Sequence, residues 1–294
     1  MRVKKLHRWD LSPEEAIELQ NRLGGMIRTT KIPGPVRTVA GVDVGYSRTS
    51  RKVWAVVALF SFPELEILEY RWNTDVTPFP YIPGLLSFRE IPVLVGAFED
   101  LKREPDIILC DGQGIAHPRR IGLAAHLGLL LEKPTIGCAK SRLVGEYRGL
   151  GEAKGSRVPL LYRGETVGVV LRTRKGVKPL FVSPGHRITL DESVRFTLSC
   201  VKRYRLPEPT RLAHLQLRRQ AQISILKILN VFLRLKFSPS LNLTKIEHFS
   251  KVSEGGGRKT PGFREGLAPR LVPALQLTEF FFPFFSCSWV ESRN

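Results

Sequence analysis

The residue types able to do chemistry begin with an acid at the end of an apolar run, Ile107-Ile108-Leu109-Cys110-Asp111-Gly112-Gln113-Gly114, followed by His117, Arg119 and Arg120. A carboxylate where a strand emerges, beside glycine backbone and cationic side chains, suits a metal ion that holds a phosphate. The same letters also spell a β-turn in which Asp111 hydrogen-bonds its own backbone. A second acid, Asp43, interrupts the apolar stretch from Val39 to Val44. A carboxylate inside such a strand is costly unless it is paired or bound to a metal. The third is Glu90 in Ser87-Phe88-Arg89-Glu90, which has the S-x-x-E form of a capping box. Glu90 therefore reads either as a helix cap or as an acid turned back toward the sheet.

These acids need elements to carry them. Ser12-Pro13-Glu14-Glu15 opens a helix expected to reach about Arg28. Val36 to Tyr46 reads as a strand with Val39, Gly41 and Asp43 on one face and Ala40, Val42 and Val44 on the other. Val53 to Phe62 and Leu65 to Trp72 extend it into an antiparallel meander that turns at Phe62-Pro63-Glu64. The segment Thr77 to Gly84 holds three prolines with Phe79 and Tyr81. It reads as a stiff loop whose aromatics either wedge against stacked bases or cover the core. A helix from Ser87 to about Lys102 buries Ile91, Leu94, Val95, Phe98 and Leu101.

Beyond the Asp111 strand come a helix over Ile121 to Leu131, a strand over Pro134 to Ala139 and a polar loop over Arg142 to Arg157. A hairpin follows, expected to leave the sheet as an excursion and to turn at Gly164-Glu165 in type II′ geometry. Phe181 to Arg187 is extended, Leu190 to Lys202 helical, and a last helix after Pro207 carries Arg211, His214, Arg218 and Arg219. The order predicts an α/β or α+β layer with a mixed sheet.

The totals narrow the partner. Lys and Arg number 46 against 27 Asp and Glu, a net charge of +19 with a pI near 10.2. That surplus points to a polyanion, nucleic acid first and an acidic membrane surface second. Cys110, Cys138, Cys200 and Cys287 lie too far apart for metal-ligand spacing or a dense disulfide pattern, which fits a reducing, cytoplasmic compartment. The basic N-terminus has no apolar core of signal-peptide length, and no run approaches a membrane span.

Asp43 on the first strand, Glu90 on the helix after the meander, Asp111 at the fourth strand's tip and His214 on a late helix resemble the ribonuclease H-like nuclease superfamily. Within it the chain is similar to the endonuclease V family. The resemblance rests on Gly41-Val42-Asp43-Val44-Gly45-Tyr46, Pro80-Tyr81-Ile82-Pro83-Gly84, Phe88-Arg89-Glu90, Asp111-Gly112-Gln113-Gly114 and His117-Pro118-Arg119. It continues through Gly137-Cys138-Ala139-Lys140-Ser141, Ser183-Pro184-Gly185-His186-Arg187 and Pro207-Glu208-Pro209 to His214, covering roughly residues 5 to 214 in order.

The resemblance implies a ribonuclease H-like mixed β-sheet flanked by helices. It also implies a monomeric enzyme that recognises inosine in DNA, or in RNA, and cuts the second phosphodiester on its 3′ side. Asp43, Glu90 and Asp111 would hold Mg²⁺, with Mn²⁺ as a substitute. His214 would support the metal-bound water or a second ion, and Lys140 would approach the scissile phosphate. Pro80, Tyr81, Ile82 and Pro83 would form a strand-separating wedge. The flipped base would enter a pocket of Gly84, Leu86, Gly112, His117, Gly137 and Ala139. His117 also reads as an exposed loop histidine, and His186 as one that stabilises a turn.

Two other functions compete. An actin- or hexokinase-like phosphotransferase would use Gly41 to Gly45 as a phosphate loop, but needs a second such loop and a duplicated domain. A non-enzymatic nucleic-acid binder would use the same basic face, although three carboxylates beside phosphate repel it unless a cation intervenes. The expected nuclease domain is residues 1–219, leaving 220–294 as an unrecognised basic extension. Residues 215–294 hold 12 Lys and Arg, 5 Glu and no Asp. They include an apolar, basic stretch from Ile223 to Leu235, a glycine-rich linker at 255–262 and the run Phe280-Phe281-Phe282-Pro283-Phe284-Phe285. The segment reads as an accessory extension or as a shifted or run-on reading frame. The missing Asp and the phenylalanine cluster favour the second, with mostly irregular structure.

Overall fold

In the computed structural model, which describes residues 1–47 and 50–220, eight strands form one sheet in the order β3-β2-β1-β4-β5-β8-β7-β6. The meander is β1 (Thr38–Tyr46), β2 (Lys52–Ser61) and β3 (Ile67–Val76), all antiparallel. β4 (Ile107–Cys110) lies parallel to β1, and β5 (Thr135–Ala139) parallel to β4. β8 (Leu180–Pro184) returns antiparallel beside β5. The β6 (Arg157–Tyr162) and β7 (Glu165–Leu171) hairpin completes the sheet through β7. This is the expected mixed sheet flanked by helices.

Both faces of the centre are covered, so the central strands are apolar on both sides rather than alternating. Ala40, Val42 and Val44 pack with Ile91, Leu94 and Phe98 of α2 (Ser87–Glu99) and with Leu123 and Leu127 of α3 (Leu123–Leu131). On the other face, Val39, Leu109 and Ile136 pack with Val194 and Phe196 of α4 (Leu190–Ser199). Ala213 and Leu217 of α5 (residues 208–220) join that second cluster. α1 (Pro13–Gly24) closes a third cluster with Phe79, Phe88 and Ile121. Among the described residues no helix is long and apolar enough to cross a membrane.

Several boundaries differ from expectation. α1 begins at the predicted Ser12 cap, with Ser12 and Glu15 reciprocally bonded, but stops at the Gly24-Gly25 pair instead of reaching Arg28. The hairpin turns at Arg163-Gly164, one residue earlier than expected, because Tyr162 pairs with Glu165. Both turn residues have positive φ, 53° and 81°, which is type I′ rather than II′ geometry. The hairpin is also not an excursion, since β7 bonds to β8 in the main sheet. The largest correction concerns Ser87. Leu86 holds the N-cap position in α-helical geometry without a side-chain cap, and Ser87 Oγ bonds buried His126 Nδ1 at 3.1 Å. There is no capping box at α2, so Glu90 is released from that role. The expectations for the extension beyond residue 220 lie outside the described residues.

Candidate active site at the carboxyl ends of the central strands

Register places the first two acids together. Val42 of β1 pairs with Cys110 of β4, so one step further along these parallel strands Asp43 and Asp111 emerge side by side. Carboxyl ends of parallel strands are where α/β sheets commonly build their sites. α5 then lies directly on β1. A Cβ at Gly41 would sit 2.1 Å from the Pro209 carbonyl carbon, so any larger residue would push the helix away. That approach lets His214 Nδ1 reach Asp43 Oδ2 at 2.8 Å. Lys140, just beyond β5, forms an ion pair with Asp111 Oδ2.

Glu90 arrives from the opposite layer. It is 3% exposed and accepts a hydrogen bond from Tyr46 Oη at 2.9 Å. Burial holds its carboxyl well above the usual range, the Tyr46 hydroxyl opposes this, and the charges of Asp43 and Asp111 add to it. Asp111 is also raised, by burial and by Asp43, against the pull of Lys140 and His214. Its second oxygen, Oδ1, is buried with no hydrogen-bond partner among the described residues.

Three mutually repelling acids, one with an orphaned buried oxygen, are a donor set that fits a hard divalent cation. One oxygen of each is engaged by Tyr46, Lys140 or His214. No three His, Cys, Asp or Glu side chains among the described residues are drawn into a ready ligand cage.

A cavity opens beside Asp111, lined also by Gly84, Leu86, Gly112, His117, Ala139 and Lys140. Gly137 is not on its wall. A Cβ there would lie 2.3 Å from Gly114 N, so Gly137 instead lets the 112–114 backbone settle onto β5. In the segment that precedes Gly84, Pro80, Tyr81 and Pro83 are exposed and Ile82 half-buried, Tyr81 being 39% exposed. Phe79 turns inward and stacks on Phe88, so for that residue the core-covering reading holds.

His117 is not an exposed loop histidine: it is 3% exposed, and burial lowers its pKa to about 4. His186, also buried, is lowered to about 4 chiefly by burial, and its backbone N–H donates to Thr135 Oγ1 at the turn after β8. The sequence reading missed Gln20, Ser87, Gln113 and Leu143 as cavity residues and Tyr46 as the partner of Glu90. For Gln20 a signal existed: it is the polar member of the buried stripe Ala16, Leu19, Gln20, Leu23 of α1.

Three kinds of comparison bear on this arrangement. The family model described as Endonuclease V matches residues 21–215. Endonuclease V of Nostoc punctiforme is 53% identical over 214 residues, covering 72% of this chain and 97% of the relative. The crystal structure of endonuclease V from Streptomyces avermitilis superposes with a TM-score of 0.70 at 41% identity, covering 76% of this chain and 98% of that one. The Ciona intestinalis enzyme, solved in complex with a 24mer DNA containing an inosine followed by a ribo-adenosine, gives a TM-score of 0.63 at 26% identity over 71% of this chain and 97% of that one.

Proposed function

This chain belongs to the endonuclease V family of endonucleases, and we propose that it cuts nucleic acid at inosine, hydrolysing the second phosphodiester 3′ to the lesion to leave 3′-hydroxyl and 5′-phosphate ends. The observation that carries this reading is the double position of Asp111, at once a wall of the cavity and a member of the acid group. A base held in the cavity thereby lies beside the acids. The inosine-containing DNA bound by the Ciona relative supports the substrate.

Asp43, Glu90 and Asp111 would hold Mg²⁺ or Mn²⁺, which when bound supplies Lewis-acid neutralisation of charge building on the phosphate. The remaining work falls to the chain's own groups. Lys140 presents its ammonium at the Asp111 edge, where a scissile phosphate oxygen would lie. His214, oriented by Asp43, exchanges the proton of the attacking water. Tyr81 and the flanking prolines enter the stack as the target base leaves it. Extrusion costs a few kcal/mol and least for poorly paired bases. Residues 1–219 form the nuclease domain.

The test is nicking of a labelled single-inosine oligonucleotide, as DNA and as RNA, with Mg²⁺ and with chelator. A metal-dependent nick one nucleotide beyond inosine is the expected result, and the better-cut strand identifies the natural substrate. Silence from both the full chain and a chain truncated after Arg219 would refute the proposal.

A further inference from the structure

Gly84 joins the Pro80–Pro83 segment to α2, and its carbonyl oxygen accepts three hydrogen bonds. They come from Gln20 Nε2 at 3.0 Å, His117 Nε2 at 2.9 Å and Arg119 Nη2 at 3.0 Å. A carbonyl oxygen offers two lone pairs, so three donors over-determine its position. The donors come from α1 and from the loop after β4, elements far apart in the chain.

The chemistry fixes which atoms face which. Arg119 Nε donates to Gln20 at 2.5 Å, and a guanidinium accepts nothing, so the Gln20 amide oxygen faces Arg119 and its NH₂ faces Gly84. The backbone N–H of Arg119 donates to His117 Nδ1 at 3.2 Å, which leaves the ring proton on Nε2, again facing Gly84. Gln20 is 1% exposed, and both ends of its amide are used. A buried amide persists on an apolar helix face only when it is bonded this way.

The location gives the clamp its purpose. Prolines at 78, 80 and 83 fix φ along the segment, whereas Gly84, at φ +79°, is a joint about which the stiff piece could swing. We propose that Gln20 and Arg119 are positioning residues for base capture, which with His117 hold the Gly84 carbonyl so that the Tyr81 wedge and the cavity wall keep one spacing before nucleic acid arrives. The role in capture rests on the inosine-nuclease reading. A wedge must be held most firmly where it replaces a paired base in a duplex stack, and less firmly on a single strand that needs no opening.

Two measurements on the full chain test this. Gln20→Met keeps the volume and removes the side-chain hydrogen bonds of Gln20, the 3.5 Å one to the Ile121 carbonyl included, so it should accelerate backbone hydrogen exchange across residues 80–88 about tenfold. It should also lower the duplex-to-single-strand rate ratio for inosine nicking about tenfold, through KM more than kcat. Arg119→Gln, at a half-buried position and therefore easier on folding, should shift both readouts the same way. Unchanged exchange, or equal losses on duplex and single strand, would overturn the clamp. A parent protein that cuts neither strand would refute the nuclease reading instead, and hydrogen exchange would still decide whether Gln20 and Arg119 hold the segment.

Discussion

Tyr46 shows how much a single hydroxyl controls. Its bond to buried Glu90 is the main influence holding that carboxyl's pKa down against burial and two neighbouring acids. Tyr46→Phe should therefore favour protonated Glu90 and raise the Mg²⁺ needed for half-maximal nicking several-fold at pH 7, and by less at pH 8. Titrations of rate against Mg²⁺ at the two pH values check this, and a pH-independent loss would contradict it. Asp43→Ala removes one of the three clustered acids together with the partner of His214. It should lower nicking by about a thousandfold or more while inosine-strand binding persists. In a pure binder the substitution would change little. At this scale the acids themselves could be read from the sequence, because a charge in an apolar strand announces a cost. The role of Tyr46 could not, since a tyrosine ending a strand carries no such signal.

Among the elements, the N-terminal arm depends on two histidines. His7 Nε2 meets His126 Nε2 at 2.8 Å, and His126 in turn bonds Ser87 at the start of α2. Burial lowers His126 to about 3 and also lowers His7. A base whose folded pKa lies below its unfolded value contributes its full stability above about 6.5, and loses it as pH falls toward the folded pKa. The metal-free protein should thus lose a few kcal/mol between pH 7 and pH 4 from this pair, and His126→Gln should flatten the slope. Urea midpoints across that range measure it, and an unchanged slope would refute the assignment.

The missed Ser87 role belongs here as well. The S-x-x-E pattern is local, whereas its fate was set by α3 packing across it. At α4 the same chemistry went unremarked yet forms a true box, Thr189 with Glu192. The β6–β7 hairpin was misjudged for the same reason, because nothing in its own letters shows that β8 will accept it as a neighbour.

The whole molecule is basic by +19, of which residues 220–294 supply +5. Binding to undamaged nucleic acid should fall steeply as salt rises. Truncation after Arg219 should reduce the salt slope while keeping the inosine preference of nicking. A truncated chain that lost the preference would place specificity in the extension. The overall architecture is legible in the sequence because the acids, turns and apolar runs come in a fixed order, each constraining the next. The cavity could not be read so fully, for its walls are drawn from α1, the Gly84 joint and two strand ends that only the closed sheet brings together.

Because one side chain, Asp111, borders both the chamber and the acids, a nuclease acting as proposed would work as a ruler. On the proposed function the captured base would be the zero mark, the Gly112–Gly114 backbone the scale, and the cut would fall where the scale ends. Such a device does not need to read sequence at the bond it breaks. Its fidelity is a matter of length, so what the fold protects at that loop is a distance.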